Sequence, residues 1–111
     1  MAANYDIVIE QGATFPLTVT TTALNLTGYT ARMQGRTSHA APSTVFNLSV
    51  GSGITIAPAT NSVITVTISA TATSAIPAPS SGVYDLEIES ASGVVTRLIQ
   101  GTFQVTPEVT R

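Results

Sequence analysis

The sequence has no cysteine, no tryptophan and no lysine, and it contains a single histidine, His39. Without cysteine, disulfides and thiolate metal sites are excluded. One histidine leaves no set of imidazole ligands for a transition metal. A Ser-His-acid triad would have to use His39, and no Gly-x-Ser-x-Gly turn is present to supply the nucleophile. We therefore expect no metal, no cofactor and no enzymatic activity, with His39 as an exposed loop residue.

Charge is also scarce: charged residues make up 9% of the chain, and the net charge is −2. A groove for a phosphate backbone needs a surplus of cations, so nucleic acid is not an expected partner. No apolar run approaches the roughly 18 residues of a membrane-spanning helix, and no basic segment leads into an apolar run near residue 1. We expect neither a membrane partner nor a signal peptide, and a single domain over residues 1–111.

What the sequence does have is β patterning, with threonine and serine at most polar positions. Short alternating apolar stretches are separated by Gly, Pro, Asn and Ser clusters, which is typical of a β-sandwich or barrel. Strands are predicted over 5–9, 14–20, 29–36, 44–50, 54–58, 63–69, 83–90 and 94–106. Residues 23–28 read as a connection whose Leu24 and Leu26 enter the core. A single helical turn is predicted over 70–75, before Pro77, and Pro16 predicts an edge, a bulge or a strand start.

The last two predicted strands form a hairpin whose loop comprises residues 91–93, with Gly93 in the left-handed conformation. This loop sets three facing pairs: Leu86 with Leu98, Ile88 with Thr96, and Glu87 with Arg97. One choice of loop thus predicts an apolar pair and an opposite-charge pair together. Gly101 is interpreted as the position of a β-bulge in the long final strand.

The candidate site residues are charged side chains on the polar faces of two strands: Arg32, Arg36, Asp85, Glu87 and Arg97, with Glu89 beside them. Alternation places Arg32 and Arg36 on one face, about 13 Å apart. If their strand lies in the same sheet as the final hairpin, the acidic strand is their natural partner, which gives structural ion pairs. An interface with a partner is the second interpretation, because guanidinium groups are favoured there. Calcium on the carboxylates is a third, although calcium ligands usually gather on a loop.

Three segments carry a family resemblance: "IEQGATFPLTV", "LNLTGYTARMQGR" and "GVYDLEIESASGVVTRLIQGTFQVTPEVTR". Together they resemble small tail-module proteins of bacteriophages and the N-terminal domain of phage baseplate upper proteins, over residues 7 to 110. The resemblance implies an all-β, immunoglobulin-like antiparallel β-sandwich of about seven to nine strands. It also implies a non-enzymatic structural role in the virion, at the tail, baseplate or neck.

In that family a receptor-binding or fibre segment sometimes follows the sandwich, whereas this sequence ends at Arg111. We therefore expect an adaptor, present in multiple copies around a symmetry axis and in contact with other virion proteins. A capsid decoration or head-fibre protein is one alternative. A small carbohydrate-binding module is another, but it would need exposed aromatic side chains, and Tyr29, Tyr84 and Phe103 fall on the apolar faces of their predicted strands.

Overall fold

The computed structural model describes residues 3–21, 26, 28–56 and 63–109. Its elements, in chain order, are β1 Ala3–Asn4, β2 Ile7–Glu10, β3 Phe15–Thr20, β4 Thr30–Arg36, β5 Phe46–Val50, β6 Gly53–Ile56, β7 Val63–Ile68, α1 Ala70–Ser74, β8 Ser80–Glu89 and β9 Val95–Thr106. Each predicted strand corresponds to one of these strands, and β8 begins three residues earlier than predicted. Leu26 is buried as expected, whereas Leu24 lies outside the described residues.

The strands pair in the order β1-β9-β8-β4-β5-β6-β7-β3, with β2 also on β9. Most neighbours are antiparallel, which confirms the predicted fold class, and three pairings are parallel. Both β1 and β2 run parallel to β9, and β5 and β6 are parallel over two residue pairs. Nearly the whole chain separates β2 from β9, which is the long connection that an extended parallel pair needs, whereas β5 and β6 are parallel only beside the turn at residues 51–52. The sequence pattern of each strand is local and does not reveal this direction.

The short β5–β6 contact divides the pairing order into two parts, β1/β2-β9-β8-β4-β5 and β6-β7-β3. Buried side chains from both parts belong to a single apolar cluster, which includes Met33 and Leu86 from one part and Ile64 from the other. Such a cluster requires the sheet to fold over on itself, so the two parts face each other as the layers of a sandwich. The opposite face of β4, β8 and β9 is left to solvent.

Phe46 and Phe103 pack edge to face within this cluster, with ring centroids 5.2 Å apart. Gly35 makes room for them, because a Cβ at that position would lie 2.3 Å from the Phe46 ring. The aromatic pair therefore lies directly over the β4 backbone, on the face opposite to the polar side chains of that strand.

Helix α1 confirms the predicted helical turn before Pro77. Ser69 caps it, since its hydroxyl accepts a hydrogen bond from the Ala72 N–H at 3.2 Å. Thr73, on the buried side of α1, connects the helix to the turn between β2 and β3. Among the described residues no helix is long and apolar enough to cross a membrane.

The β8–β9 hairpin confirms the predicted loop and most of the predicted register. Ser90 and Val94 are joined by a backbone hydrogen bond of 2.9 Å, which leaves residues 91–93 as the loop, and Gly93 has φ +92°. Two of the three expected pairs are present, Ile88 with Thr96 and Glu87 with Arg97.

The third expected pair is wrong, because Leu86 faces Ile99 and Leu98 is the extra residue of a bulge. The prediction of a bulge at Gly101 is therefore wrong, because the bulge lies at Leu98. Gly101 has a different role: a Cβ there would lie 2.3 Å from the Tyr5 carbonyl oxygen, so the glycine admits the N-terminal segment against β9.

Candidate functional site

The solvent face of β4, β8 and β9 carries a row of charged residues at matching positions. Arg32 lies opposite Glu87, and Glu87 lies opposite Arg97. The Nε atom of Arg32 is 3.1 Å from Glu87 Oε1, and its Nη1 atom is 3.5 Å from Glu89 Oε1. The expected partnership between the arginine strand and the acidic strand is therefore observed for Arg32, and the two strands are direct neighbours.

Arg97 faces Glu87 in the register but pairs with Asp85, with Arg97 Nε 3.4 Å from Asp85 Oδ2. The cause is the bulge at Leu98. It makes Gln100 the next residue of β9 on the solvent face, opposite Asp85, and Gln100 accepts a hydrogen bond of 3.0 Å from Arg97 Nη1. Arg97 therefore points along β9 toward Asp85, while Glu87 is left to Arg32.

A second row of side chains, which we call the polar row, lies beside the charged residues and crosses five strands. Its members, from β5 to β1, are Asn47, Gln34, Asp85, Gln100 and Asn4. Hydrogen bonds of 3.3 Å join Gln34 to Asn47 and Gln100 to Asn4. Amide side chains thus flank Asp85 on both sides, and each amide has both donor and acceptor capacity.

Arg36, at the end of β4, has surroundings unlike those of the other two described arginines. Its Nη1 donates to the Ala41 carbonyl at 2.9 Å, and its Nη2 donates to Gln34 Oε1 at 3.1 Å. Among the described residues no carboxylate lies within ion-pair distance of it. The expected ion pairing with the acidic strand is thus wrong for Arg36, because the residue opposite it on β8 is Val83.

A groove of about 340 Å³ lies over this part of the sheet. Its walls include Arg36 and His39 on one side, Asp85 in the middle, and Gln100 and Asn4 on the other. His39 is exposed in the β4–β5 loop, as expected. Several polar groups therefore converge on one concave surface, which is the usual setting of a binding site.

Partial burial, together with the neighbouring charge of Glu87, raises the pKa of Asp85, while Arg97, Arg32 and His39 act in the opposite direction. The ionised carboxylate is thus less favourable here than in water, even with Arg97 beside it. Asp85 is the one ionisable side chain of the polar row, and the other four members are neutral amides.

Within the described ranges no group of three or more His, Asp or Glu side chains is arranged to hold a metal ion. The three acidic residues of β8 alternate along a regular strand, and arginines occupy the space between them. The carboxylates of this face therefore form ion pairs with arginines of the same chain.

On the core side, the Tyr84 hydroxyl donates a hydrogen bond to the Tyr5 carbonyl. Burial raises the pKa of Tyr84 to about 12, with smaller contributions from Tyr5 and Asp6. The Asp6 carboxylate in turn accepts a hydrogen bond of 3.0 Å from the Thr102 N–H. Residues 5 and 6 lie between β1 and β2, and these two contacts hold them against the neighbouring strands β8 and β9.

Sequence reasoning identified the charged residues of this face but missed the amides of the polar row. The alternation along β4 already placed Gln34 on the same face as Arg32 and Arg36, which was a usable signal. No such signal existed for Gln100 or Asn4. Their positions depend on the bulge at Leu98 and on the parallel pairing of β1 with β9.

No protein family and no curated protein matches the chain. Solved structures do match. A crystal structure of the chicken TCR is similar at 14% identity with a TM-score of 0.56, and the match covers 98% of this chain and 55% of the TCR chain. The NK cell receptor NKp44 matches at 16% identity with a TM-score of 0.58, over 96% of this chain and 99% of that one. The chain therefore spans about half of the TCR chain and almost all of NKp44. At these identities the likeness shows the fold: the chain is an immunoglobulin-like β-sandwich with a polar, ion-paired sheet face.

Proposed function

We propose that this protein is a non-enzymatic structural component of a bacteriophage virion, an adaptor of the tail, baseplate or neck that contacts other virion proteins. The proposal rests on the positions in the fold of the segments that resemble phage tail proteins. "YTARMQGR" supplies β4, and "GVYDLEIESASGVVTRLIQGTFQVT" supplies most of β8 and all of β9. These three strands are hydrogen-bonded neighbours. The second and third resembling segments thus build one continuous surface, whereas the first, "IEQGATFPLTV", supplies the end of β2 and most of the edge strand β3.

The edge strand β3 supports an assembly role. Among the described strands it pairs with β7 alone and ends the pairing order. Its exposed residues are Pro16, Thr18 and Thr20, none of them charged. Charged side chains and proline usually protect a sheet edge from further pairing. Pro16 protects the start of β3, and the uncharged part beyond it, at Thr18 and Thr20, favours strand addition by a neighbour.

A non-enzymatic role is compatible with the comparisons, since the similar NKp44 structure is that of a receptor. It also agrees with the site chemistry. The strand carboxylates Asp85, Glu87 and Glu89 are each engaged by an arginine.

The test is quantitative mass spectrometry of purified particles of the phage that encodes this sequence. An adaptor on the tail axis is expected at a small multiple of three or six copies per particle, in keeping with ring symmetry. A count in the hundreds would instead favour the capsid decoration alternative. If the protein were absent from purified particles, the virion assignment would be wrong, and a glycan-binding screen would examine the remaining alternative.

A further inference from the structure

Arg36 lies at the wall of the groove, and no carboxylate of the described residues forms an ion pair with it. The other described arginines, Arg32 and Arg97, each have a carboxylate at 3.1 to 3.5 Å. Arg36 is half-buried, and its described hydrogen-bond partners are the neutral Ala41 carbonyl and Gln34 side chain. A guanidinium gains most from a carboxylate, which it can bind through two parallel hydrogen bonds.

The orientation of Arg36 is already fixed before any ligand arrives. Two of its five N–H groups are used by Ala41 and Gln34, which come from the β4–β5 loop and from β4 itself. The remaining N–H groups stay available on a side chain whose freedom is already reduced. A partner would therefore lose less conformational entropy on binding than with a freely moving surface arginine.

The rest of the groove offers both donors and acceptors. Asp85 uses one oxygen for Arg97, and its other oxygen is an available acceptor in the middle of the groove. Asn4 accepts from Gln100 through its carbonyl oxygen, so its amide N–H groups remain available. A peptide backbone, with alternating N–H and C=O groups, matches such a mixture.

We propose that the groove binds a peptide segment of a partner protein through an acidic side chain, with Arg36 as the main contact and His39 beside it. A sugar carboxylate fits less well. Sugar rings pack on exposed aromatic faces, and Tyr84, the aromatic residue at this groove, is 4% exposed. The groove volume of about 340 Å³ suits one side chain and a short stretch of backbone.

This inference deepens the proposed function, because it names the surface and the partner chemistry that an adaptor would use. It rests on that function only for the identity of the partner. The carboxylate site belongs to the isolated protein and can be tested there, so absence from virions and failure to bind an acidic peptide are separate results.

The experiment is an NMR titration of the ¹⁵N-labelled full chain with a blocked pentapeptide that contains two glutamates among glycines. The matched probe has glutamine in place of glutamate, and glucuronate serves as a third probe. Two variants accompany the wild type: Arg36→Gln, and Arg32→Gln as the control, since Arg32 is already paired with Glu87 and Glu89. The ¹⁵N spectrum of each variant reports whether it is folded.

The expected result is a saturable shift of the Gln34, Asp85 and Gln100 amide signals with the glutamate peptide. Arg36→Gln is expected to weaken this binding about tenfold or more, and Arg32→Gln to leave it within about twofold. Equal shifts with the glutamine peptide, or an unchanged affinity in Arg36→Gln, would overturn the proposal. Tighter binding of glucuronate than of the peptide would also overturn it, in favour of a saccharide site. If Arg36→Gln does not fold, the salt dependence of wild type is the test. With 0.5 M sodium chloride, where the screening length is about 4 Å, binding of the glutamate peptide must weaken, and unchanged affinity would overturn the proposal.

Discussion

Thr73 Oγ1 lies 2.8 Å from the Ala13 carbonyl oxygen, and this hydrogen bond joins helix α1 to the turn between β2 and β3. The same hydroxyl accepts a hydrogen bond of 3.0 Å from the Gly12 N–H. Thr73 is fully buried. Nearby, Gln11 donates to the Ile76 carbonyl at 3.0 Å and accepts from the Glu108 N–H at 3.2 Å. A pair of polar side chains thus connects three segments that are distant in sequence.

Thr73→Val is expected to destabilise the fold by about 1–3 kcal/mol, because a shape-conserving change leaves the Ala13 carbonyl and the Gly12 N–H unsatisfied. The free energy of unfolding from urea denaturation measures the effect. Thr71→Val is the matched control, since Thr71 is exposed on the same helix. Equal losses in the two variants would show that helix propensity and not the buried hydroxyl is responsible.

The bulge at Leu98 predicts which carboxylate Arg97 is coupled to. A double-mutant cycle of Arg97→Gln with Asp85→Asn is expected to give a coupling energy of about 0.2–1 kcal/mol, the range of exposed ion pairs. The cycle of Arg97→Gln with Glu87→Gln is expected to give a smaller coupling, although these residues face each other in the register. The reverse order of the two couplings would contradict the ion pairing described for this hairpin.

Tyr84→Phe is expected to change the alkaline stability of the protein. Burial raises the pKa of Tyr84 to about 12 in the folded state, from an ordinary value of 10.0. The unfolded chain therefore loses the phenolic proton first, and stability falls as pH rises from about 10 through about 12. Tyr84→Phe removes this part of the pH dependence, and at neutral pH it costs about 0.5–1.5 kcal/mol for the hydrogen bond to Tyr5.

Urea midpoints at neutral pH and near pH 11 give the measurement. Tyr29→Phe is the control, because Tyr29 immediately precedes β4 and is only half-buried. The loss of stability between the two pH values should be smaller in Tyr84→Phe than in wild type. An identical loss of stability in wild type and in Tyr84→Phe would mean that other groups determine the alkaline transition.

Asp85→Asn is expected to raise stability at neutral pH, by no more than about 1 kcal/mol because the site is partly exposed. The raised pKa of Asp85 means that the folded protein retains this proton at a pH where the unfolded chain has lost it. Stability contributed by protonated Asp85 is therefore lost as pH rises through its folded-state pKa, above the ordinary aspartate range. Asparagine also continues the row of amides formed by Gln34 and Gln100.

Thermal unfolding between mildly acidic and neutral pH should be less pH-dependent in Asp85→Asn than in wild type. Glu89→Gln is the control on the same strand face, because it likewise removes one carboxylate that contacts an arginine, Arg32. An equal gain in both variants would show that the loss of negative charge, and not the burial of Asp85, raises stability. A destabilised Asp85→Asn at neutral pH would indicate that the ion pair with Arg97 outweighs the cost of burying the carboxylate.

Much of the fold followed from local patterns. The two-residue alternation placed Arg32, Gln34 and Arg36 on the polar face of β4, and the structure has them there. Turn chemistry at Gly93 fixed the hairpin loop, and with it the pairs Ile88 with Thr96 and Glu87 with Arg97. These features depend on neighbouring residues, which is why the sequence was sufficient for them.

The candidate site required more than local pattern. A bulge adds one residue to one strand and changes every partner beyond it, and no residue type at Leu98 indicates such an insertion. The bulge decided that Arg97 meets Asp85 and that Gln100 joins the polar row. The side-by-side arrangement of β1 and β9 decided that Asn4 completes the row.

The amino-acid sequence by itself thus determined which residues form strands, which face of each strand is polar, and where the last hairpin turns. The tertiary structure alone decided which polar side chains share a groove, and that Arg36 faces Val83 and has no described carboxylate beside it. The physical reason is that alternation is set by the geometry of a single strand. Pairing between distant strands is set by how the whole sheet closes around its core.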